Sequence, residues 1–311
     1  MSKQSSILIL GAGELGNAVL AALAERYDSK DVQLSLGLRP QTAQDSAKTQ
    51  HYRSLASPHE LHIISVDIAS ATGKSLADTF RNGKYDVVLS CTGFTAGRGT
   101  QVKLAKAVLE AGVKRYFPWQ FGVDYDVIGR GSALDLFDEQ LDVRDILRGQ
   151  DRTQWVIVST GMFTSFLFEE SFGLIEKREG GEVVVRGLGG WDNRVTVTAA
   201  EDIGRLTAEV VVDENVKGVV YTAGETISYT KFAELVESAV GSRRTVEREV
   251  WTVEELKEEL RKDPENPLRK YRVVFAEGRG VSWDKGKTFN VHRGIQTIDV
   301  GGWIKAHEWT P

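Results

Sequence analysis

Four consecutive apolar residues, Ile7-Leu8-Ile9-Leu10, run directly into Gly11-Ala12-Gly13-Glu14-Leu15-Gly16. An uninterrupted apolar run suits a strand covered on both faces, as in a parallel sheet. The alanine-rich stretch beyond it carries Leu15, Ala18, Val19, Ala22 and Leu23 at helical spacing and predicts a helix. Strand, G-x-G-x-x-G and helix in that order form a dinucleotide-binding turn. Gly11 permits the tight turn, Gly13 lets the main chain approach a pyrophosphate, and Gly16 lets the helix lie close on the strand. The N–H groups of the first helical turn, at Glu14 and Leu15, are expected to hold the phosphates at the positive end of the helix.

A second strand is expected over residues 32–38, ending in Arg39-Pro40. A site for NAD carries an acid at the end of this strand to bind the ribose hydroxyls. Arginine stands there instead, and its planar fork suits a 2′-phosphate, so NADP(H) is the expected cofactor. A solvated arginine before a turn is the plain alternative, and Lys48 and Arg53 add charge that the sequence does not place. Residues 61–67 read as a third strand, 75–80 as a short helix, and 85–91 as a fourth strand opening into Thr92-Gly93-Phe94-Thr95. In a doubly wound sheet this loop lies over the cofactor, which brings Cys91, Thr92, Gly93 and Phe94 to it. Cys91 itself reads as a small packing residue, since no neighbour would lower its pKa. A helix through Val102, Ala105, Val108 and Leu109 stops near Gly112. Strands alternating with helices imply an α/β fold with a Rossmann-type, doubly wound parallel sheet.

Hydrophobic content of 41% and charged content of 27% are those of an ordinary soluble protein, and a net charge of −5 speaks against an electrostatic nucleic-acid binder. The single cysteine excludes an internal disulfide and suits a reducing compartment. Five scattered histidines offer no metal-ligand spacing, so no metal is expected. With no apolar run long enough to span a bilayer and no signal-peptide pattern, a cytoplasmic protein without membrane contact is expected.

Residues 113–122, Val-Lys-Arg-Tyr-Phe-Pro-Trp-Gln-Phe-Gly, form the expected fifth strand and its exit loop. Here the chain resembles the NmrA-like and isoflavone-reductase-like branch of the atypical short-chain dehydrogenase/reductases. The segment matches that branch's V-K-R-F-x-P-S-E-F-G, with Trp119 and Gln120 replacing serine and glutamate. The glycine motif matches more loosely, because Gly13 stands where the branch usually has threonine. Residues 155–163 look like its sixth strand and substrate-side loop, and 195–204 is similar to the segment that ends its sheet and starts a helix. The resemblance covers most of the first 240 residues. It implies a nucleotide-binding part (1–160) and a smaller C-terminal α+β substrate-binding part (161–311), packed as one unit. Loops after strands four to six would then hold the nicotinamide, adding Trp119, Gln120, Phe121 and Ser159 to the cofactor site.

None of the eight tyrosines has a lysine four residues on, so the Tyr-x-x-x-Lys pair of typical short-chain dehydrogenases is absent. The plant reductases of the branch instead carry a lysine on the helix after strand five. Aligned on Phe137 and Val143-Arg144, that position falls on Gln140, and no lysine occurs from Arg115 to Glu176. An amide orients a carbonyl or a water but is neither acid nor base near neutral pH. Tyr125, a water held by Gln140, or the substrate itself is the expected proton source, and Gln120 is a further catalytic candidate. Asp124 and Asp126 on the same loop are further candidates, while Asp138, Glu139 and Asp142 read as solvated helix charges. Trp119, Tyr125, Met162, Phe163 and Phe166, with Phe121 and Phe168 nearby, suggest an apolar substrate pocket or, equally, plain core.

In the C-terminal third, Ser228 is expected to cap a helix ending at Gly241, and Thr252 with Glu255 to form a capping box. The tail through Gly278, Gly280, Trp283 and Gly286 suits either a lid or a surface loop. The resemblance implies an NADPH-dependent oxidoreductase acting on an aromatic or alkaloid-like small molecule, as a monomer or homodimer. A non-catalytic NADP-sensing regulator and a cofactor-dependent cyclase or isomerase are the alternatives.

Overall fold

In the computed structural model, which describes residues 4–93, 96–241 and 245–310, the N-terminal apolar run is β1 (Ser5–Leu10), with Ile7 to Leu10 fully buried. There follow α1 (Glu14–Arg26), β2 (Val32–Leu38), α2 (Pro40–Gln44), α3 (Ser46–Leu55) and β3 (Leu61–Ser65). Next come α4 (Gly73–Asn82), β4 (Val87–Ser90), α5 (Thr100–Ala111) and β5 (Arg115–Phe117). Then come α6 (Tyr125–Ile128), α7 (Asp138–Arg148), β6 (Gln154–Ser159), β7 (Met162–Phe163) and β8 (Ile175–Lys177). β9 (Val183–Leu188), β10 (Arg194–Thr198), α8 (Ala200–Val212), β11 (Gly218–Tyr221) and β12 (Glu225–Ser228) continue the chain. It closes with α9 (Tyr229–Val240), β13 (Val246–Trp251), α10 (Val253–Lys262), α11 (Pro267–Glu277), α12 (Phe289–His292) and α13 (Val300–Ala306).

Two compact units share these elements. One takes residues 1–120, 139–158 and 200–220; the other takes 121–138, 159–199 and 221–311. Each unit thus draws on three separate stretches of the chain.

The first unit carries a seven-stranded sheet in the order β11-β6-β5-β4-β1-β2-β3. β1 to β6 pair in parallel throughout, with Ile9 opposite both Leu36 and Leu89. Position in the sheet explains the residue pattern. Central β1 and β4 are buried almost end to end, whereas edge strand β3 is buried only at Leu61 and half-buried or exposed beyond it. Strand order reverses at β1, between β2 and β4, and ligands of such sheets bind at the carboxyl ends of the strands at this point. Buried Arg115 on β5 donates to the carbonyls of Val211, Asp213 and Val216 at 2.8, 3.0 and 2.6 Å, closing the C-terminal end of α8.

The second unit holds two three-stranded sheets, β12-β10-β7 and β13-β9-β8. Residues 195–198 thus do not end the parallel sheet, as their resemblance implied. β10 instead pairs antiparallel with β12 and in parallel with β7, and β11 is the outermost strand of the parallel sheet beside β6. The threonines of β10 account for this. Buried Thr196 bonds Thr226 Oγ1 at 2.8 Å and Thr198 donates to the Thr160 carbonyl at 2.7 Å, partners that exist only in this unit. The glycine-containing tail is built in beside β10. Val281 is fully buried and accepts the Thr196 N–H, and Trp283 Nε1 donates to the Thr222 carbonyl at 3.0 Å. Ser228 caps α9, and Thr252 with Glu255 forms the reciprocal capping box of α10. Among the described residues no helix is long and apolar enough to cross a membrane.

Candidate functional site

At the switch point of the parallel sheet lies a groove of about 480 Å³. Its walls are the ends of four strands: Gly11–Gly13 after β1, Gly37–Arg39 at the end of β2, Val66–Ala69 after β3, and Cys91–Gly93 after β4. The three motif glycines have three different reasons to be there. Gly11 has a φ of +95°, and a Cβ on it would sit 2.7 Å from Thr92 Oγ1. A Cβ on Gly16 would be 2.1 Å from the Gly11 carbonyl oxygen, so only glycine lets α1 begin this close to the turn. At Gly13 an added Cβ would meet no atom of the protein within 4 Å; what it would fill is the groove. Gly13 is also the N-cap of α1 and offers no side-chain oxygen, so the first-turn N–H groups lack a side-chain cap. An uncapped helix start opening on a groove leaves main-chain N–H groups and the positive end of the helix facing that groove.

Arg39 is exposed at the β2 end of the groove and forms no salt bridge among the described residues. Thr42 and Lys48 line the same end, Lys48 in a loose, exposed pair with Asp45 at 3.7 Å. Asp67, after β3, accepts the Ala69 and Ser70 N–H groups; Ser70 above all, then Ala69 and the Arg39 charge, hold its carboxyl below the usual range. Thr42, Tyr52 and Asp67 escaped sequence reading. Asp67 alone had a signal, as the polar residue that follows an apolar strand. Cys91 lines the groove but is buried, and burial pushes its thiol pKa up, so it packs rather than reacts. Phe94 lies outside the described residues. Among the described residues no group of three or more His, Cys, Asp and Glu side chains is arranged to hold a metal ion.

Trp119 packs on the groove loop, since a Cβ on Gly93 would lie 2.9 Å from its ring. The next residue, Gln120, is buried with Gln140 and Arg144 of α7. Gln120 Nε2 donates to the Gln140 main-chain carbonyl at 2.9 Å, and Gln120 Oε1 accepts from Arg144 Nε at 2.8 Å. Both ends of the Gln120 amide are thus spent within the protein. The Gln140 side chain is fully buried, and neither its nitrogen nor its oxygen has a partner among the described residues. A buried amide left unpaired costs free energy, which a bound water or ligand would recover.

The expectation that the α7 acids are merely solvated fails for two of them. Asp138 accepts the Gly131 N–H at 2.9 Å. Glu139 accepts the main-chain N–H groups of Gly99, Gln101 and Val102 at 2.9, 2.7 and 3.2 Å, serving as the cap that α5 lacks. Asp124 caps α6 and accepts the Tyr221 hydroxyl at 2.7 Å.

The aromatic residues are divided between the two units. Trp119 belongs to the parallel-sheet unit, and the others to the second unit. There Tyr125 is buried against Phe137 (ring centres 4.8 Å apart), half-buried Phe166 packs on Phe172 (4.5 Å), and Phe168 stacks on Trp303 (4.7 Å). Phe121 and Met162 are buried, Phe163 half-buried, and Ser159 is buried with its carbonyl accepting the Thr222 N–H.

The model of the NmrA-like family matches residues 3–288 of this chain. An NmrA-like family domain-containing oxidoreductase of Gibberella moniliformis is 46% identical over 307 residues, which is 96% of this chain and 97% of that protein. Among solved structures, isoflavone reductase superposes with a TM-score of 0.73 at 19% identity, covering 98% of this chain and all of that one. An NADPH-dependent quinone oxidoreductase from Escherichia coli, solved with NADPH, gives 0.72 at 18% identity over 97% of this chain and all of the other. At such identities these two structures establish the fold.

Proposed function

We propose that this chain, which belongs to the NmrA-like family, is an NADP(H)-dependent oxidoreductase acting on a small aromatic or alkaloid-like metabolite. One observation carries the proposal: an uncapped α1 start, the open space at Gly13 and the salt-bridge-free Arg39 share a single groove. That combination fits a dinucleotide with an extra phosphate on its adenosine ribose. Supporting it are the oxidoreductase of Gibberella moniliformis and the NADPH held by the structural neighbour from Escherichia coli. The small aromatic substrate is suggested by the neighbouring isoflavone reductase.

In this reading the N–H groups at Gly13 to Gly16 bind the pyrophosphate, and Arg39, Thr42 and Lys48 bind the ribose phosphate. Thr92 and Gly93 line the groove, and Trp119 packs on Gly93. When bound, the cofactor supplies a hydride to an electrophilic carbon. Gln140 takes the role of orienting a substrate oxygen or a water through its unpaired amide, and Gln120 is a positioning residue rather than a contact. Tyr125 is the weaker candidate, because its ring is buried among Phe137 and the other aromatics of the second unit.

The neutral amide at 140 also favours a second reading, a regulator that senses NADP without turnover. Titration with NADPH, NADH, NADP⁺ and NAD⁺, followed by NADPH oxidation assays with quinones, enones and aromatic imines, separates them. We expect NADPH to bind at least about tenfold tighter than NADH, as one charge-assisted phosphate contact implies, and one of these acceptors to be reduced. Preference for the oxidised forms with no turnover would favour the sensor. No dinucleotide binding would overturn both.

A further inference from the structure

We propose, on the dinucleotide reading of the groove, that Lys103 is a positioning residue for the cofactor and that with Gln101 it makes α5 the brace that sets the groove's width. Lys103 is half-buried near the start of α5. Its ammonium donates to the carbonyls of Ile68, Ala69 and Ala71 at 2.7, 3.0 and 2.9 Å. An ammonium has three N–H donors, and here each has its own acceptor. Lys103 therefore acts through the turn it holds and not by touching a ligand.

That turn is the groove wall beyond β3, where Ile68 and Ala69 line the groove together with Val66 and Asp67. Its carbonyls go to Lys103, and its N–H groups go to Asp67: those of Ala69 and Ser70 to the carboxylate, that of Ala71 to the main-chain carbonyl at 2.8 Å. Every polar group of the turn that bonds Lys103 or Asp67 is thus spent in fixing its shape. From the same helix, Gln101 donates to the Thr92 carbonyl at 2.8 Å, in the wall beyond β4. In the sheet β4 and β3 are separated by β1 and β2, so the two walls share no strand pairing. α5 holds both. Its main-chain hydrogen bonds fix the offset between residues 101 and 103, so moving one wall strains the hold on the other.

The test is a binding cycle on the full chain: the parent, Lys103→Met, Gln101→Met, and both together, titrated with NADPH and with 2′,5′-ADP at a temperature where all four are folded. Methionine keeps an unbranched stem and removes the donors. Each single variant should weaken both probes about tenfold, the order expected when a binding wall loses its placement. The double variant should weaken them by about thirtyfold or less, because either cut already releases the brace. A roughly hundredfold loss, the product of two independent effects, would overturn it. So would a Lys103→Met protein with lowered Tm and unchanged affinity, which would make Lys103 a residue of stability alone. Hydrogen exchange without any ligand gives a second arm. Lys103→Met should speed exchange of the Ala69, Ser70 and Ala71 amides at least about tenfold, and by a larger factor than at Ile9 and Leu36 in the central strands. Equal factors would sink the inference and leave the dinucleotide reading standing. A parent that binds neither probe would remove that reading, and this inference with it.

Discussion

The Glu139 carboxylate on α7 accepts the main-chain N–H of Gln101 at 2.7 Å, closing the start of a helix 38 residues earlier in the chain. The helix needs it, because Gly99 at its N-cap is left-handed and offers no side chain. Gln101 in turn donates through Nε2 to the Thr92 carbonyl at 2.8 Å, so the cap is tied to the loop that walls the groove. Glu139→Ala should cost about 1–2 kcal/mol in urea unfolding, the worth of a lost cap near a helix dipole. Glu139→Gln, which keeps one acceptor oxygen, should cost about half of that. Equal costs for the two variants would mean that charge, not geometry, is what α5 requires.

Gly13 and Gly16 should respond to the same substitution in opposite ways. Gly13→Ala meets no protein atom, so its Tm should match the parent within about 2 °C, while NADPH affinity falls at least about tenfold because the methyl group occupies groove space. Gly16→Ala places a methyl group 2.1 Å from the Gly11 carbonyl oxygen and should destabilise by about 3 kcal/mol or prevent folding. Thermal unfolding and cofactor titration on the two proteins check both.

Arg39→Ala should raise the dissociation constant for NADPH by roughly 10–100-fold, the range of a lost charge-assisted phosphate contact. NADH binding should change by no more than about twofold. Equal weakening of both would show that Arg39 supports the groove generally rather than reading a ribose phosphate.

In the β13-β9-β8 sheet, buried Arg186 bonds Glu249 at 2.8 Å, pairs with Glu176, and lies over the Trp251 ring at 4.7 Å. The Arg186 hydrogen bond holds the Glu176 carboxyl below its usual range, and at Glu249 the bonds from Arg186 and Arg178 outweigh burial, which raises it. Carboxyls lowered in the folded state stabilise it fully above their unfolded pKa, about 4.3. That contribution is lost as pH falls through the lowered values. Stability should therefore decline below about pH 4.5, and Arg186→Ala should cost roughly 2–3 kcal/mol at neutral pH while flattening the acid decline. Urea midpoints measured across this range test the sign.

Local signals carried a great deal. β1, the glycine turn and α1 were legible because four apolar residues in a row and three spaced glycines each have a short-range cause. So were Ser228 as a cap and Thr252 with Glu255 as a capping box, since their partners lie three residues away. Arg39 was legible as the end of a strand. Glu139 was not, and looked like any exposed helix acid, because the three N–H groups it serves belong to another helix.

What the sequence by itself determined is the parallel sheet at the N-terminus, the glycine turn into α1 and the family, each written in residues that are neighbours along the chain. Only the tertiary structure decided that β10 leaves that sheet, that Glu139 caps α5, and that the Gln120 amide bonds both Arg144 and the Gln140 main-chain carbonyl. The reason is physical: a buried polar group is stable only with its partner in place, and for these residues the partner arrives from 20 or more positions away, when the chain closes on itself.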